Sequence, residues 1–171
     1  MSLSVPDFGE LLANCHKSAV HLEMRDFYGV SYESDDFVTW RETGRWDNPV
    51  YWAPWTAMVR EAVGRGVDMR RARVVSEPVT DYIRFEYAGT VNNLAAGEQV
   101  RWLPRRQASD IAMPGNDFWL FDDHLVEWNH FTGDGELVGH ELTDDQVVVR
   151  LCGSAFEKVW QRAVPHEQFH V

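Results

Sequence analysis

Among the side chains able to handle charge in one short stretch of the chain, the run RVVSEPVTDYIRFE at residues 73–86, the candidates for chemistry are Glu77, Tyr82, Arg84 and Glu86. An arginine between two carboxylates can orient a polar ligand or a partner's side chain. On a helix Tyr82 and Glu86 are spaced i, i+4 and share a face, whereas Arg84 points away from both. Trp102 and Arg105, near the end of the next predicted strand, extend the candidate binding set. If the protein is an enzyme, the acid–base candidates are Glu77, Glu86, Asp122 and His130, since carboxylates and imidazoles are the usual proton carriers. The plainer account is structural: Glu77 caps a helix, Tyr82 is a core aromatic with a wet tip, and Arg84 lies at the surface.

Nucleophile and phosphate-cradling signatures are missing: there is no G-x-S-x-G, P-loop or dinucleotide glycine fingerprint. Seven histidines raise the question of a metal. His21-Leu22-Glu23 on a strand puts both polar groups on one face, and Asp122-Asp123-His124 reads as a turn. No pair has the spacing of a zinc site, so neither metal nor cofactor is expected. Cys15 and Cys152 are far apart and read as buried small hydrophobes. Arg65, Arg70, Arg71 and Arg73 make either a local anion patch or a solvated face. The aromatic cluster from Trp46 to Trp55, with Tyr51 and Trp52, is either core or an exposed recognition surface.

These groups need a scaffold, and its elements can be read from periodicity. A helix is expected from residue 6 to about 19 and a strand over 20–30, where Val20, Leu22 and Met24 alternate with His21, Glu23 and Arg25. Ser34 or Asp35 caps a short helix that ends near Gly44. Pro54 opens another, with Trp55, Met58, Val59, Ala62 and Val63 as its apolar stripe. A strand over 71–76, a helix capped by Thr80 or Asp81 and a strand over 99–103 form a unit that favours parallel pairing. Segments 117–121, 125–131 and 137–142 read as a meander, with Trp128 opposite Gly139 in a four-residue-loop register. A C-terminal helix over 144–165 starts at Asp144-Asp145 and stops at Pro165, leaving 166–171 as a mobile tail. The fold class is α+β, α/β-like in part: a mixed sheet of about five to six strands with flanking helices. It forms one domain over 1–171, with the sheet in 20–142.

Composition narrows the function classes. The 171 residues carry a formal net charge of −11, and 44% of them are hydrophobic, including eight Trp. Acidity is concentrated at the ends: residues 1–50 carry net −5 and residues 111–171 net −8, against +2 for the middle. Nucleic-acid binding needs a basic face to neutralise phosphates, so direct binding is not expected. No apolar run approaches the roughly 20 residues that span a bilayer. The first residues lack a secretory pattern, which points to the cytoplasm.

Five motifs run along the chain: R-V-V-S-E-P-x-(S/T)-D-Y-x-R-F-E at 73–86, G-E-x-(V/I)-R-W-L-P-R at 97–105, D-F-W-L-F-D at 117–122, H-F-x-x-D-G-x-x-x-G-x-E-L at 130–142 and W-x-x-A-V-P at 160–165. With these motifs, over nearly its whole length, the chain resembles an uncharacterised family of actinobacteria, mainly Streptomyces and relatives. The resemblance implies a gene context beside helix-turn-helix regulators and no assigned activity. A weaker, fold-level similarity links the layout to a phospholipase-D-like half-domain. That chemistry needs H-x-K, and neither Lys17 nor Lys158 has a His two positions before it, so binding is favoured over hydrolysis.

The expected function is therefore a cytoplasmic, non-enzymatic regulatory module acting on a protein partner, a helix-turn-helix regulator. A small enzyme (a hydrolase or a tailoring enzyme of secondary metabolism) and a sensor for a small-molecule effector are the alternatives.

Overall fold

Residue types alternate along the strands and divide the central sheet into an apolar face and a polar one. The computed structural model describes residues 5–29, 31–32 and 34–171. Strands β1 (Ser18–Glu23), β2 (Asp68–Val75) and β3 (Gln99–Pro104) run parallel. An antiparallel meander of β4 (Phe118–Phe121), β5 (Leu125–Phe131) and β6 (Leu137–Thr143) joins the β1 edge, and β7 (Val164–Pro165) pairs antiparallel with β3. The order is β6-β5-β4-β1-β2-β3-β7, a mixed seven-stranded sheet.

Five α-helices flank it: α1 (Phe8–Ala13), α2 (Asp35–Thr43), α3 (Pro49–Gly64), α4 (Asp81–Ala96) and α5 (Gln146–Arg162). Helix α5 covers the apolar face, packing Cys152, Phe156 and Val159 against Leu22, Val74 and Leu120. On the other face α1 and α3 pack over Ala19, Met69 and Trp119, while α4 packs over Val75 and Trp102.

Several boundaries differ from the sequence reading for physical reasons. Helix α1 stops at Ala13, because Cys15 to Ser18 turn inward to bond the Asp122 carboxylate. Strand β1 ends at Glu23 rather than near residue 30, because the Met24 amide leaves the ladder to donate to Asp117 at 2.9 Å. Helix α3 begins at Pro49, not Pro54. The Asn48 side chain accepts from the Val50 amide, and Pro49 takes the first position, where no amide is needed. Pro54 is tolerated inside because the carbonyl it strands belongs to Val50, a residue 85% exposed to water.

In the meander the three strands form as expected but their pairing differs from the expected register. Trp128 lies opposite Glu141, and Gly139 opposite His130, across a bulge at His130/Phe131. The loop has grown to 132–136, closed by the Thr132 amide donating to the Glu136 carbonyl at 2.8 Å, with Gly135 at φ 86°. The C-terminal residues are not a loose tail. After β7, Phe169 stacks on Trp102 with centroids 5.4 Å apart, and Tyr87 donates to the Phe169 carbonyl at 2.8 Å. No helix among the described residues is long and apolar enough to cross a membrane.

Candidate functional site

The polar sheet face holds a row of buried charge. Alternation puts His21 and Glu23 of β1, Arg71 and Arg73 of β2, Trp119 of β4 and Glu127 and Asn129 of β5 on the face away from α5. Register then aligns them: His21 lies beside Arg71 and Trp119, Glu23 beside Arg73, and Trp119 beside Glu127. Glu23, Arg71, Arg73 and Glu86 are each less than a tenth exposed. Burying so many charges is costly unless each is paired and hydrogen-bonded.

They are paired in a continuous network. Arg71 Nη1 donates to Glu23 Oε1 and Arg73 Nε to Glu23 Oε2, both at 2.6 Å. Arg71 Nε donates to Glu98, whose other oxygen accepts from Asn93 at 2.8 Å. Arg73 Nη1 donates to Thr90 Oγ1 at 2.6 Å, and Tyr82 donates to Glu86 Oε1 at 3.0 Å. Glu86 Oε2 stays 3.6 Å from Arg73 Nε, too far for a hydrogen bond. His21 lies flat on Trp119, its Nδ1 2.7 Å from the Phe118 carbonyl and its Nε2 3.2 Å from Glu23.

Environment separates the carboxyl groups. Burial opposes ionisation of Glu23, but the Arg73 and Arg71 guanidiniums outweigh it and hold the group well below the usual carboxylate range. Burial dominates at Glu86 and, although Arg73 opposes it, pushes the group up to about 7. Burial alone lifts Glu127 to about 7. Two carboxyl groups near neutrality beside one fixed in its charged form are the pattern of a functional site more often than of a plain core.

Above this floor lies a cleft of about 340 Å³ with aromatic walls. Trp46, Tyr51 and Trp52 come from the α2–α3 connection and the first turn of α3, Trp55 from its second turn, and Phe8 from α1. The walls are fixed in place. Trp46 donates to Asp36 at 3.2 Å and stacks on Phe85, and Trp52 donates to the Trp46 carbonyl at 3.1 Å. Four buried side-chain polar atoms among the described residues have no hydrogen-bond partner. Three of them, Trp55 Nε1, Glu86 Oε2 and Asn93 Oδ1, belong to residues lining this cleft. The fourth, Arg70 Nε, is ion-paired to Asp68 at 3.0 Å.

The expected site residues are divided among several surroundings. Tyr82 and Glu86 belong to the network, and Trp102 lies fully buried behind it, 4.8 Å under the Arg73 guanidinium. Arg84 is turned away and donates to the Val79 carbonyl at 3.0 Å. Glu77 and Arg105 line a separate pocket with Ser76 and Arg106. There Arg105 ties strand ends together through Ser76 Oγ at 3.0 Å and the Val74 carbonyl at 3.1 Å. Glu77 does not cap α4; Thr80 does, accepting from the Ile83 amide.

Asp122 accepts from the amides of His16, Lys17 and Ser18, which hold its carboxyl at about 2 against partial burial. It organises a turn. His130, on the opposite sheet face from Glu127, lies 3.3 Å from Glu141. Glu77, Glu86, Asp122 and His130 therefore do not converge on one reacting centre. Burial raises both Cys15 and Cys152 to about 12, as buried thiols require. Among the described residues no three His, Cys, Asp or Glu side chains come together as a metal site.

The sequence reading missed Glu23, Arg71, Arg73, Glu98 and Glu127 as site residues and read the arginines as a patch or a solvated face. The available signal was two x-polar-x-polar strands, His21-x-Glu23 and Arg71-x-Arg73, of complementary charge. Trp46 and Trp52, weighed as an exposed surface, are both buried; Tyr51 remains exposed.

A family model described as "Domain of unknown function (DUF6879)" matches residues 6–171. No curated protein is matched. Among solved structures, NucT from Helicobacter pylori is similar over 92% of this chain and 87% of that one, with 11% identity and a TM-score of 0.49.

Proposed function

The chain belongs to the DUF6879 family, and from that premise we propose that it is a small-molecule-binding module whose occupant sits in the cleft over the polar face of the sheet. One observation carries this reading: three buried polar atoms without a hydrogen bond belong to the lining of one aromatic cleft. Unpartnered polar atoms cost roughly 1–3 kcal/mol each, and a ligand that met them would recover that cost.

The charged floor fits binding better than turnover. Buried ion pairs add little net stability, but they fix geometry, and this network ties β1, β2 and α4 into a rigid base. The proposal assigns recognition and includes no reaction step.

The test is a thermal-shift screen of a metabolite collection against wild type and Trp52→Ala. The expected result is a compound that raises the wild-type melting temperature by several degrees and leaves the variant unmoved, as binding to the folded state requires. A collection that stabilises neither protein would count against a ligand site. A regulatory output, with a helix-turn-helix partner reading the occupied state, is a further part of the proposal, suggested by the net charge of −11. Co-purification of tagged wild type from an actinobacterial lysate tests it, and an empty eluate removes it.

A further inference from the structure

We infer that the occupant of the cleft is an organic cation, an amine or quaternary ammonium group on a compact apolar body. The inference rests on the cleft being a ligand site and adds the charge of the ligand. Its first support is a charge imbalance in the floor. Arg71 and Arg73 are matched by Glu23 and Glu98, through bonds that already commit Nε and Nη1 of both guanidiniums. Glu86 and Glu127 remain as carboxyl groups in excess of the permanent cations at the cleft, with His21 and His140 as the titratable neighbours.

Glu86 is less than a tenth exposed, yet its Oε2 has no hydrogen bond. Glu127 is 2% exposed, and the His140 ring nitrogen Nδ1 lies 3.5 Å away. Burial pushes both carboxyl groups to about 7: at Glu86 it outweighs the Arg73 guanidinium 3.6 Å away, and at Glu127 nothing opposes it. A cation in the cleft beside either carboxylate would supply the positive charge that holds it ionised.

The second support is independent of the carboxylates. Aromatic faces attract cations within about 6 Å of the ring centroid. Trp55 and Trp119 already host one, since the Arg71 guanidinium carbon lies 5.4 Å and 5.5 Å from their rings. Trp46, Tyr51 and Trp52 present further rings on the same cleft. Aromatic walls over unmatched carboxylates form a cage for a cation rather than an anion site, and the net charge of −11 draws cations toward the surface.

Calorimetric titration at pH 8 with three matched probes tests the assignment: benzylamine, benzyl alcohol and benzoate. Benzylamine is expected to bind about tenfold or more tighter than benzyl alcohol, with benzoate weakest. Glu86→Gln is expected to weaken benzylamine about tenfold and leave benzyl alcohol unchanged; Glu127→Gln serves as the second charge variant, and circular dichroism verifies the fold of each. Benzyl alcohol or benzoate binding as tightly as benzylamine, and weakened by Trp52→Ala, would overturn the cation assignment and leave the cleft as a ligand site. No binding by any of the three would overturn both.

Discussion

Glu23 and Glu86 flank the same guanidinium, that of Arg73, and hold different charge states around neutrality. Glu23 is bonded to it at 2.6 Å and is held well below the usual range; Glu86 lies 3.6 Å away and is pushed by burial to about 7. One ångström of separation, together with the second guanidinium on Glu23, distinguishes a fixed charge from a titrating group.

A pH dependence follows from Glu86. Unfolded, it titrates near the ordinary 4.5; folded, near 7. Between those values the folded protein keeps a proton that the unfolded chain has lost, so this group's contribution to stability falls as pH rises from about 5 to 7. Glu86→Gln removes that fall, and the variant gains on wild type by on the order of 2 kcal/mol between pH 5 and 8. Burial lowers the proton affinity of His166, which works in the opposite sense, so the difference between the two proteins is the readout. Urea midpoints at four pH values measure it, and a gap that stays constant would refute the shift.

Removing the fixed charge has the opposite consequence. Glu23→Gln leaves two buried guanidiniums each short of a carboxylate, and breaking a buried pair from one side costs about 3–5 kcal/mol. At pH 8 the Glu23→Gln variant should therefore be far less stable than Glu86→Gln. Equal urea midpoints would show that the network is more hydrated than its burial implies.

Gly89 sets the position of the aromatic wall. A Cβ there would come within 2.4 Å of Trp46 Cε3 and 2.9 Å of Trp52 Cζ2, and both rings are pinned by their indole hydrogen bonds. Gly89→Ala is expected to cost about 1–3 kcal/mol and to abolish cleft binding. Gly64→Ala, where nothing lies within 4 Å, is the matched control and should be neutral or slightly stabilising. Titration of both variants with benzylamine separates the two outcomes.

Asp122 is a structural acceptor, so its loss should be felt in stability alone. Asp122→Ala strands the amides of His16, Lys17 and Ser18 and places alanine at φ 51°. A loss of about 2 kcal/mol is expected, with part of it restored by Asp122→Asn, which tolerates the left-handed backbone. Cleft affinity should stay at the wild-type value in whichever variant folds.

Much of this arrangement is legible in the sequence. Alternation alone puts His21 with Glu23, and the helical wheel of α4 joins Tyr82 to Glu86 while turning Arg84 away, as observed. What the sequence does not carry is the parallel register of β1 with β2, which sets His21 beside Arg71 and Glu23 beside Arg73. Nor does it show that α3 starts at Pro49 and brings Trp52 over that row. A charged strand reads as solvated until a covering helix is placed, and for this reason Arg71 and Arg73 looked like surface. Phe169 was hidden for a similar reason. A short segment after a proline carries no periodicity, and only its stacking on Trp102 gives it a place. Phe169→Ala is expected to cost about 3 kcal/mol by chemical denaturation.

Four of the eight tryptophans, Trp46, Trp52, Trp55 and Trp119, line the cleft. The protein therefore carries its own optical gauge. A guest entering the cleft changes the surroundings of half of the indole chromophores at once, so emission wavelength and intensity register occupancy without any attached label. Samples drawn from a crude extract can be ranked by the light they return.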